Sequence, residues 1–214
     1  MTHTGTSDAH SILPLAVLEA MRNLDSPSDE EVAEYVDELL KKRLGLSDTV
    51  AAQINRYEVL VKRDDGVTGA EFEQILRLAS RRTDAALVFG DGGRRAARRA
   101  VSRLSGWSRW ASRQLPRFLR RRFGFRAARR AAGDVLGTTL GRAGGQPVAV
   151  LAEGWSVRAT PDGASCAFYA AALAELLRQL MEYEGSVSHT RCRARGDAAC
   201  EWRAGGPGGP GSGR

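Results

Sequence analysis

The strongest constraint on the fold is the segment Cys166–Trp202, which contains all three cysteines and the only histidine outside the first ten residues. His189 precedes Cys192 by three positions, Cys200 follows Cys192 by eight, and Cys166 lies 23 positions before His189. Thiolate and imidazole groups are the ligands that tetrahedral zinc prefers. The spacing predicts one structural zinc ion bound by these four residues. Two alternatives stay open: buried thiols without a metal, and a Cys192–Cys200 disulfide in an oxidising compartment.

The first part of this segment has helical periodicity. Apolar residues recur at three- and four-residue steps over Ala167–Tyr183, which predicts a helix that Gly185 ends. Glu175 falls on the opposite, polar face of this helix. Cys166 lies at the start, where the positive end of the helix dipole would favour its thiolate form.

The second part of the segment predicts a β-hairpin. Ser186–Cys192 and Ala199–Arg203 alternate like strands, and Gly196-Asp197 supplies a turn between them. His189 and Cys192 are an odd number of positions apart, so a regular strand would point them to opposite faces. A bulge or a strand end is therefore needed to bring the two side chains to the same metal ion.

The cysteine segment resembles the 4-vinyl reductase domain family. That family ends in a cysteine, a helix and then Glu-x-x-Cys-x7-Cys, with Gly-Asp inside the last gap. The matching positions here are Cys166, His189-Thr190-Arg191-Cys192, Gly196-Asp197 and Cys200. His189 stands where the family usually has glutamate, and histidine is also a zinc ligand. The resemblance covers roughly residues 66–203, including a glycine pair after a short apolar run that would let two helices approach closely.

The resemblance implies a role in bacteriochlorophyll biosynthesis. It implies a homodimer that binds a tetrapyrrole of the divinyl protochlorophyllide type and assists or carries out reduction of its vinyl group. Trp155, Phe168 and Tyr169 lie near the metal motif and are the predicted ligand contacts. Hydride transfer needs a nicotinamide, flavin or iron–sulfur donor, and the GDGG run at 90–93 has no nucleotide-binding spacing, so catalysis is left undecided. The alternative is a zinc-stabilised module that senses a small ligand and works through a partner.

The run Arg94–Arg130 contains fourteen arginines and no acidic residue, interleaved with aromatic side chains. Two amphipathic helices broken near Gly106 and Pro116, with arginine stems covering apolar surface, would explain it without a ligand. Three functional interpretations compete with that one. The run could lie on an anionic membrane, bind nucleic acid, or hold the carboxylates of a flat ligand.

Residues 1–65 predict an N-terminal helical extension. Ile12–Leu24 predicts a short amphipathic helix, Ser28 caps a second helix, and a third runs from Ser47 to about Val61. The second helix is acidic, which argues against a DNA-reading helix-turn-helix and makes nucleic acid a disfavoured partner. His3 and His10 are interpreted as bystanders rather than metal ligands.

The remaining patterns predict one α+β domain over residues 66–204, with a small antiparallel sheet packed by helices. A helix is expected over Thr68–Arg81. Pro147–Leu151 and Gly154–Thr160 predict paired strands that join the metal hairpin, with a turn-rich connection over 133–145 before them. Residues 205–214 have the glycine- and proline-rich composition of a disordered tail.

The location predicted from the sequence is the cytoplasm. The first eleven residues, MTHTGTSDAHS, lack the basic and apolar regions of a secretory signal, and the cysteine count is odd. The sequence also contains no apolar run long enough to span a membrane. Peripheral contact with an anionic membrane surface through the arginine run is the alternative.

Overall fold

The computed structural model describes residues 8–26, 46–104, 117–151 and 154–205, without the side chains of residue 8 and of 117–120. The helices are α1 Ile12–Asp25, α2 Asp48–Arg63, α3 Gly69–Ser80, α4 Ala85–Arg103, α5 Arg117–Asp134, α6 Trp155–Ala159 and α7 Cys166–Met181. The strands are β1 Asp8–His10, β2 Gly66–Thr68, β3 Thr139–Ala143, β4 Gln146–Leu151, β5 Val187–Arg191 and β6 Cys200–Ala204. His3, the helix predicted after Ser28, the break near Gly106 and Pro116, and the tail from residue 206 lie outside the described residues.

The strands form two antiparallel sheets. β1 pairs with β2, while the larger sheet has the order β3-β4-β6-β5. Two hairpins supply that sheet, and β4 and β6 join them at its centre. Helices pack around both sheets, so the predicted α+β class is confirmed. No helix in the described ranges is both long enough and apolar enough to cross a membrane.

Two predictions in the middle of the chain are wrong, one of a strand and one of a connection. Gly154–Thr160 contains the short helix α6 rather than a strand, and Trp155 and Ala159, four residues apart, are both buried. The outer strand is instead β3, within the stretch predicted as a connection. Gly144 and Gly145 both have positive φ, 59° and 79°, which permits the tight turn between β3 and β4. An apolar pattern over only five residues does not distinguish a strand from a single helical turn. Packing against the rest of the core decides which of the two forms.

The helix α1 is at the centre of the core. Every residue from Ile12 to Met21 is buried, and only Arg22 and Asn23 near the end of the helix are exposed, so the expected polar face is absent along most of its length. Its one acidic side chain in this stretch, Glu19, is bound by Arg99 of α4. α1 packs against α2, α3 and α4 in a hydrophobic core that continues to β6. This part of the N-terminal segment therefore belongs to the same core as the metal motif.

Two adjacent glycines set the distance between the central helices. A Cβ atom added to Gly92 would lie 3.3 Å from the Cα of Val17 in α1. One added to Gly93 would lie 2.2 Å from the carbonyl oxygen of Phe168 in α7. The pair makes a notch in α4 that receives both neighbouring helices, as the resemblance led us to expect.

The first half of the arginine run is used for internal ion pairs. In α4, Arg95 pairs with Asp91 at 2.7 Å and Arg98 pairs with Glu175 of α7 at 3.0 Å. Glu175 was predicted on a solvated face, but only 5 % of its side chain is exposed. Arg178 and Gln179 also donate to its carboxylate, so the buried charge is balanced by neighbours from two helices.

These contacts predict acid-sensitive stability. Hydrogen bonds from Arg178, then from Gln179 and Arg98, lower the pKa of Glu175 to about 2. A carboxyl group with a lowered folded-state pKa contributes stability above its ordinary pKa, and that stability is lost as the pH falls from about 4.5 to 2. Glu175→Gln should therefore cost about 1–3 kcal/mol of unfolding free energy at pH 7.

Urea denaturation at several pH values would check this expectation. The difference between wild type and Glu175→Gln should shrink as the pH falls below about 4.5. Glu58→Gln is the control, because Glu58 forms no ion pair among the described residues. A difference that stays constant down to pH 2 would contradict the assignment.

Candidate metal centre

The four predicted metal ligands lie together in the structure. One ligand atom each from Cys166, His189, Cys192 and Cys200 can be chosen so that all four lie within 4.8 Å of one another. The Sγ atoms of Cys166 and Cys200 are 3.9 Å apart. All three cysteines are buried free thiols, so the disulfide alternative is not realised. The group could hold a metal ion.

The β5–β6 hairpin contains the bulge that the sequence requires. His189 pairs with Trp202, while Arg191 pairs with Glu201, so the register shifts between these two positions. The extra residue, Thr190, changes the direction of the following chain. The side chains of His189 and Cys192 can therefore reach the same point despite their odd spacing in the sequence. Cys192 also lies just beyond the end of β5, so both of the predicted ways to bring the two side chains together occur here.

The loop after β5 is closed around Cys192. The carboxylate of Asp197 accepts a hydrogen bond from the backbone N–H of Cys192 at 2.7 Å. The carbonyl of Cys192 accepts from the N–H groups of Arg195 and Asp197 at 2.9 and 3.2 Å. Gly196 has a φ of 92°, which favours glycine. The sequence predicts only a turn at the Gly-Asp pair. In the structure the pair also holds the second cysteine in place.

Cys166 is held by a buried hydroxyl network that sequence reasoning missed. Ser165 donates to the carbonyl of Ser156 at 3.0 Å, and its hydroxyl lies 2.7 Å from that of Thr160. The thiol of Cys166 donates to the Ser156 hydroxyl at 3.7 Å. This network ties the start of α7 to α6. The network was missed because the sequence predicts a strand for 154–160, and a strand would not place these hydroxyl groups together.

Gly163 is a second residue that the sequence gave no reason to single out. Its φ is 78°, and an added Cβ atom would lie 3.1 Å from the Sγ of Cys192 and 3.9 Å from the Sγ of Cys166. The backbone before α7 therefore passes directly over two of the three sulfur atoms. A side chain at this position would be both strained and crowded.

Burial controls the protonation of the site. Burial raises the pKa of the Cys166 and Cys200 thiols above their ordinary range, so the predicted stabilisation of the Cys166 thiolate by the helix end is outweighed. Burial, and then the charge of Arg195, lowers the pKa of His189 and favours the neutral ring that binds metals. Metal binding here would displace thiol protons.

The histidine also has an unused nitrogen. The Nε2 atom of His189 is buried and has no hydrogen-bond partner among the described residues. Its ring stacks on Trp202 with centroids 4.9 Å apart, which fixes the ring plane. A buried polar atom without a partner is unfavourable, and a metal ion would be a suitable partner.

The three predicted ligand contacts form part of the core. Trp155, Phe168 and Tyr169 are 3, 0 and 0 % exposed. Phe168 and Tyr169 meet edge to face at 5.4 Å, and Phe72 contacts Trp155 in the same way at 6.2 Å. Their role in ligand binding stays a prediction. None of them lines the groove described next.

Among the described residues, an open groove of about 1390 Å³ lies beside α5. α5, the β3–β4 hairpin, the segment after α7 and the end of β6 form its walls. Its basic and aromatic lining includes Arg121, Arg122, Phe125, Arg126, Arg129 and Arg142. No protein-family model, curated protein or solved structure matches the chain.

Proposed function

We propose that the protein is a zinc-stabilised tetrapyrrole-binding protein of bacteriochlorophyll biosynthesis. The observation that carries the zinc assignment is the convergence of three thiols and one imidazole within 4.8 Å. In a tetrahedral site with zinc–sulfur bonds of about 2.3 Å, two sulfur atoms lie roughly 3.8 Å apart. The separation of 3.9 Å between Cys166 and Cys200 agrees with that value.

The proposed zinc is structural. Four protein ligands complete a tetrahedron and leave no position for a water molecule or a substrate. The ion would join the start of α7, through Cys166, to the β5–β6 hairpin, through the other three ligands. Its chemical contribution would be to replace the protons of buried thiols with a bound cation, which couples metal binding to folding.

Metal analysis of the purified protein tests this assignment. We expect one zinc ion per chain in wild type and strongly reduced zinc in His189→Asn, because the imidazole is one of four ligands. His10→Asn is the matched control, since His10 accepts a hydrogen bond from the Ile12 N–H and is not part of the four-residue group. Zinc retained in His189→Asn, or absent from wild type, would contradict the proposal.

The tetrapyrrole part of the proposal is supported by the resemblance and by the groove. Ligand pockets for small molecules have volumes of about 300–1,000 Å³, so a groove of about 1390 Å³ has room for a large flat ring system. We propose binding, in support of a reductase, rather than autonomous reduction, because the sequence has no motif for a hydride donor. Homodimerisation remains part of the proposal through the resemblance alone.

Titration with a protochlorophyllide would test ligand binding directly. A saturable shift of the pigment absorbance is expected, together with a pigment that co-purifies from a host that makes one. Zinc without any pigment binding would reject the tetrapyrrole proposal and leave the metal site intact. Binding of a small aromatic effector instead would favour the ligand-sensing alternative.

A further inference from the structure

The second half of the arginine run differs from the first in its ion pairing. In α4, Arg98, Arg99 and Arg103 pair with carboxylates of other elements. In the groove, five exposed arginines come from α5 and β3. Within the described part of the chain none of the five forms an ion pair with a carboxylate. The charge of α4 is thus paired within the fold, whereas the five arginines of the groove are not paired with any described carboxylate.

The unpaired arginines are arranged around an aromatic surface. Arg122, Arg126 and Arg129 follow each other at steps of four and three, so they share one face of α5 with Phe125. The guanidinium group of Arg142, on β3, lies 4.3 Å from the centre of the Phe125 ring. This is a cation–π contact, and it brings an arginine of the hairpin to the same aromatic side chain. The geometry suits a ligand that is itself planar and carries negative groups at its edge.

The charge balance of the groove points to an anion. Among the described residues, five arginines line it against two acidic residues, Glu182 and Glu184, which gives a formal excess of 5 − 2 = 3 positive charges. Guanidinium groups bind carboxylates through two parallel hydrogen bonds and discriminate strongly against neutral esters.

The shape of the surface favours a small ligand over a membrane or a polymer. A peripheral membrane helix needs a wide apolar face beside its basic residues. Among the described residues, the large apolar side chains that are exposed are Val59, Leu87 and Phe123, and only Phe123 belongs to α5. The basic residues instead line a concave groove with walls from four parts of the fold.

We propose that this groove binds the free carboxylate of the tetrapyrrole, with Arg126 of α5 and Arg142 of β3 holding the acid group. This inference rests on the proposed tetrapyrrole function and specifies the form of the ligand. The protein would accept the free acid and reject the same ring once that carboxylate is esterified. It would therefore act before the reaction that joins an alcohol to the remaining free acid side chain.

A matched pair of ligands separates the charge of the ring from its shape. Protoporphyrin IX has two free carboxylates, and its dimethyl ester has the same ring without charge. Wild-type protein should bind the acid at least about tenfold more tightly than the ester, as judged by absorbance and tryptophan quenching. The double variant Arg126→Ala/Arg142→Ala should lose this preference. Arg63→Ala/Arg81→Ala, which removes two exposed arginines outside the groove, should keep it.

Each outcome tests a different statement. Failure of wild type to bind either porphyrin would overturn the proposed tetrapyrrole function and this inference with it. Equal binding of acid and ester by wild type, or an acid preference that survives in a folded double variant, would overturn only the groove assignment. An oligo(dT) strand or anionic phospholipid vesicles, bound through the same two arginines without any acid preference for the porphyrin, would also overturn it. Because the comparison of acid and ester in wild type needs no substitution, the test stands even where a variant fails to fold.

Discussion

Cys200→Ser should lower the unfolding free energy by at least about 3 kcal/mol, which corresponds to a fall in melting temperature of roughly 6–12 °C for a domain of this size. Cys200 is 1 % exposed and begins β6, and its Sγ lies 3.9 Å from that of Cys166 at the start of α7. Without the fourth ligand, the proposed zinc ion would no longer join the helix to the hairpin. The buried thiols would then have to remain protonated, because burial raises the pKa of both Cys166 and Cys200.

A chelator supplies the control for this first prediction. Serine in a buried site has its own cost, so the substitution alone does not isolate the metal. A strong zinc chelator should lower the melting temperature of wild type and leave that of Cys200→Ser almost unchanged. Equal sensitivity of the two proteins to the chelator, or no sensitivity in either, would show that this cysteine group does not bind a stabilising metal.

Gly93→Ala is the second substitution with a large expected effect. The added methyl group would lie 2.2 Å from the carbonyl oxygen of Phe168, 2.9 Å from the backbone nitrogen of Ala172 and 3.0 Å from the Cβ of Ala171. Two of these atoms belong to the backbone of α7, so no rotamer change relieves the overlap. α4 and α7 would have to separate, which we expect to cost about 3 kcal/mol.

Another glycine of the same helix is the matched control. A Cβ atom at Gly90 would meet only the guanidinium nitrogens of Arg94, at 3.5 and 4.0 Å, which is ordinary contact with a flexible side chain. Alanine has the higher helix propensity, so Gly90→Ala should be neutral or stabilise by up to about 1 kcal/mol. Urea denaturation of the two variants, each saturated with zinc, would compare them. Similar effects at both positions would mean that the helices are not in close contact at Gly93.

The metal group could be predicted from the sequence because its members are rare residues with a distinctive spacing. Cysteine and histidine occur six times in the whole chain, and four of these lie between positions 166 and 200. The hairpin followed from strand alternation, and the odd spacing of His189 and Cys192 required a bulge or a strand end, both of which the structure contains. In this segment local pattern and tertiary arrangement agree.

Other parts of the fold depend on contacts that local patterns do not reveal. The sequence places Glu175 on the polar face of its helix. In the structure, Arg98 from a helix far away in the sequence forms an ion pair with it. α1 contains polar side chains, but it lies between other helices and every residue from Ile12 to Met21 is buried. The groove was beyond reach for the same reason, because it requires Arg142 on a strand to face the arginines of α5.

The burial of α1 has a consequence for how the protein is made. α1 spans Ile12–Asp25, but its main partner, α4, begins at Ala85, and the core that contains both is completed by α7 and β6 after residue 165. During synthesis on the ribosome, this apolar helix emerges long before the segments that cover it. Chaperones that hold exposed apolar segments are therefore expected to bind it until the last third of the chain has been translated. The four residues of the candidate metal centre are all in that last third, so they could bind a metal ion only after this part of the chain has emerged.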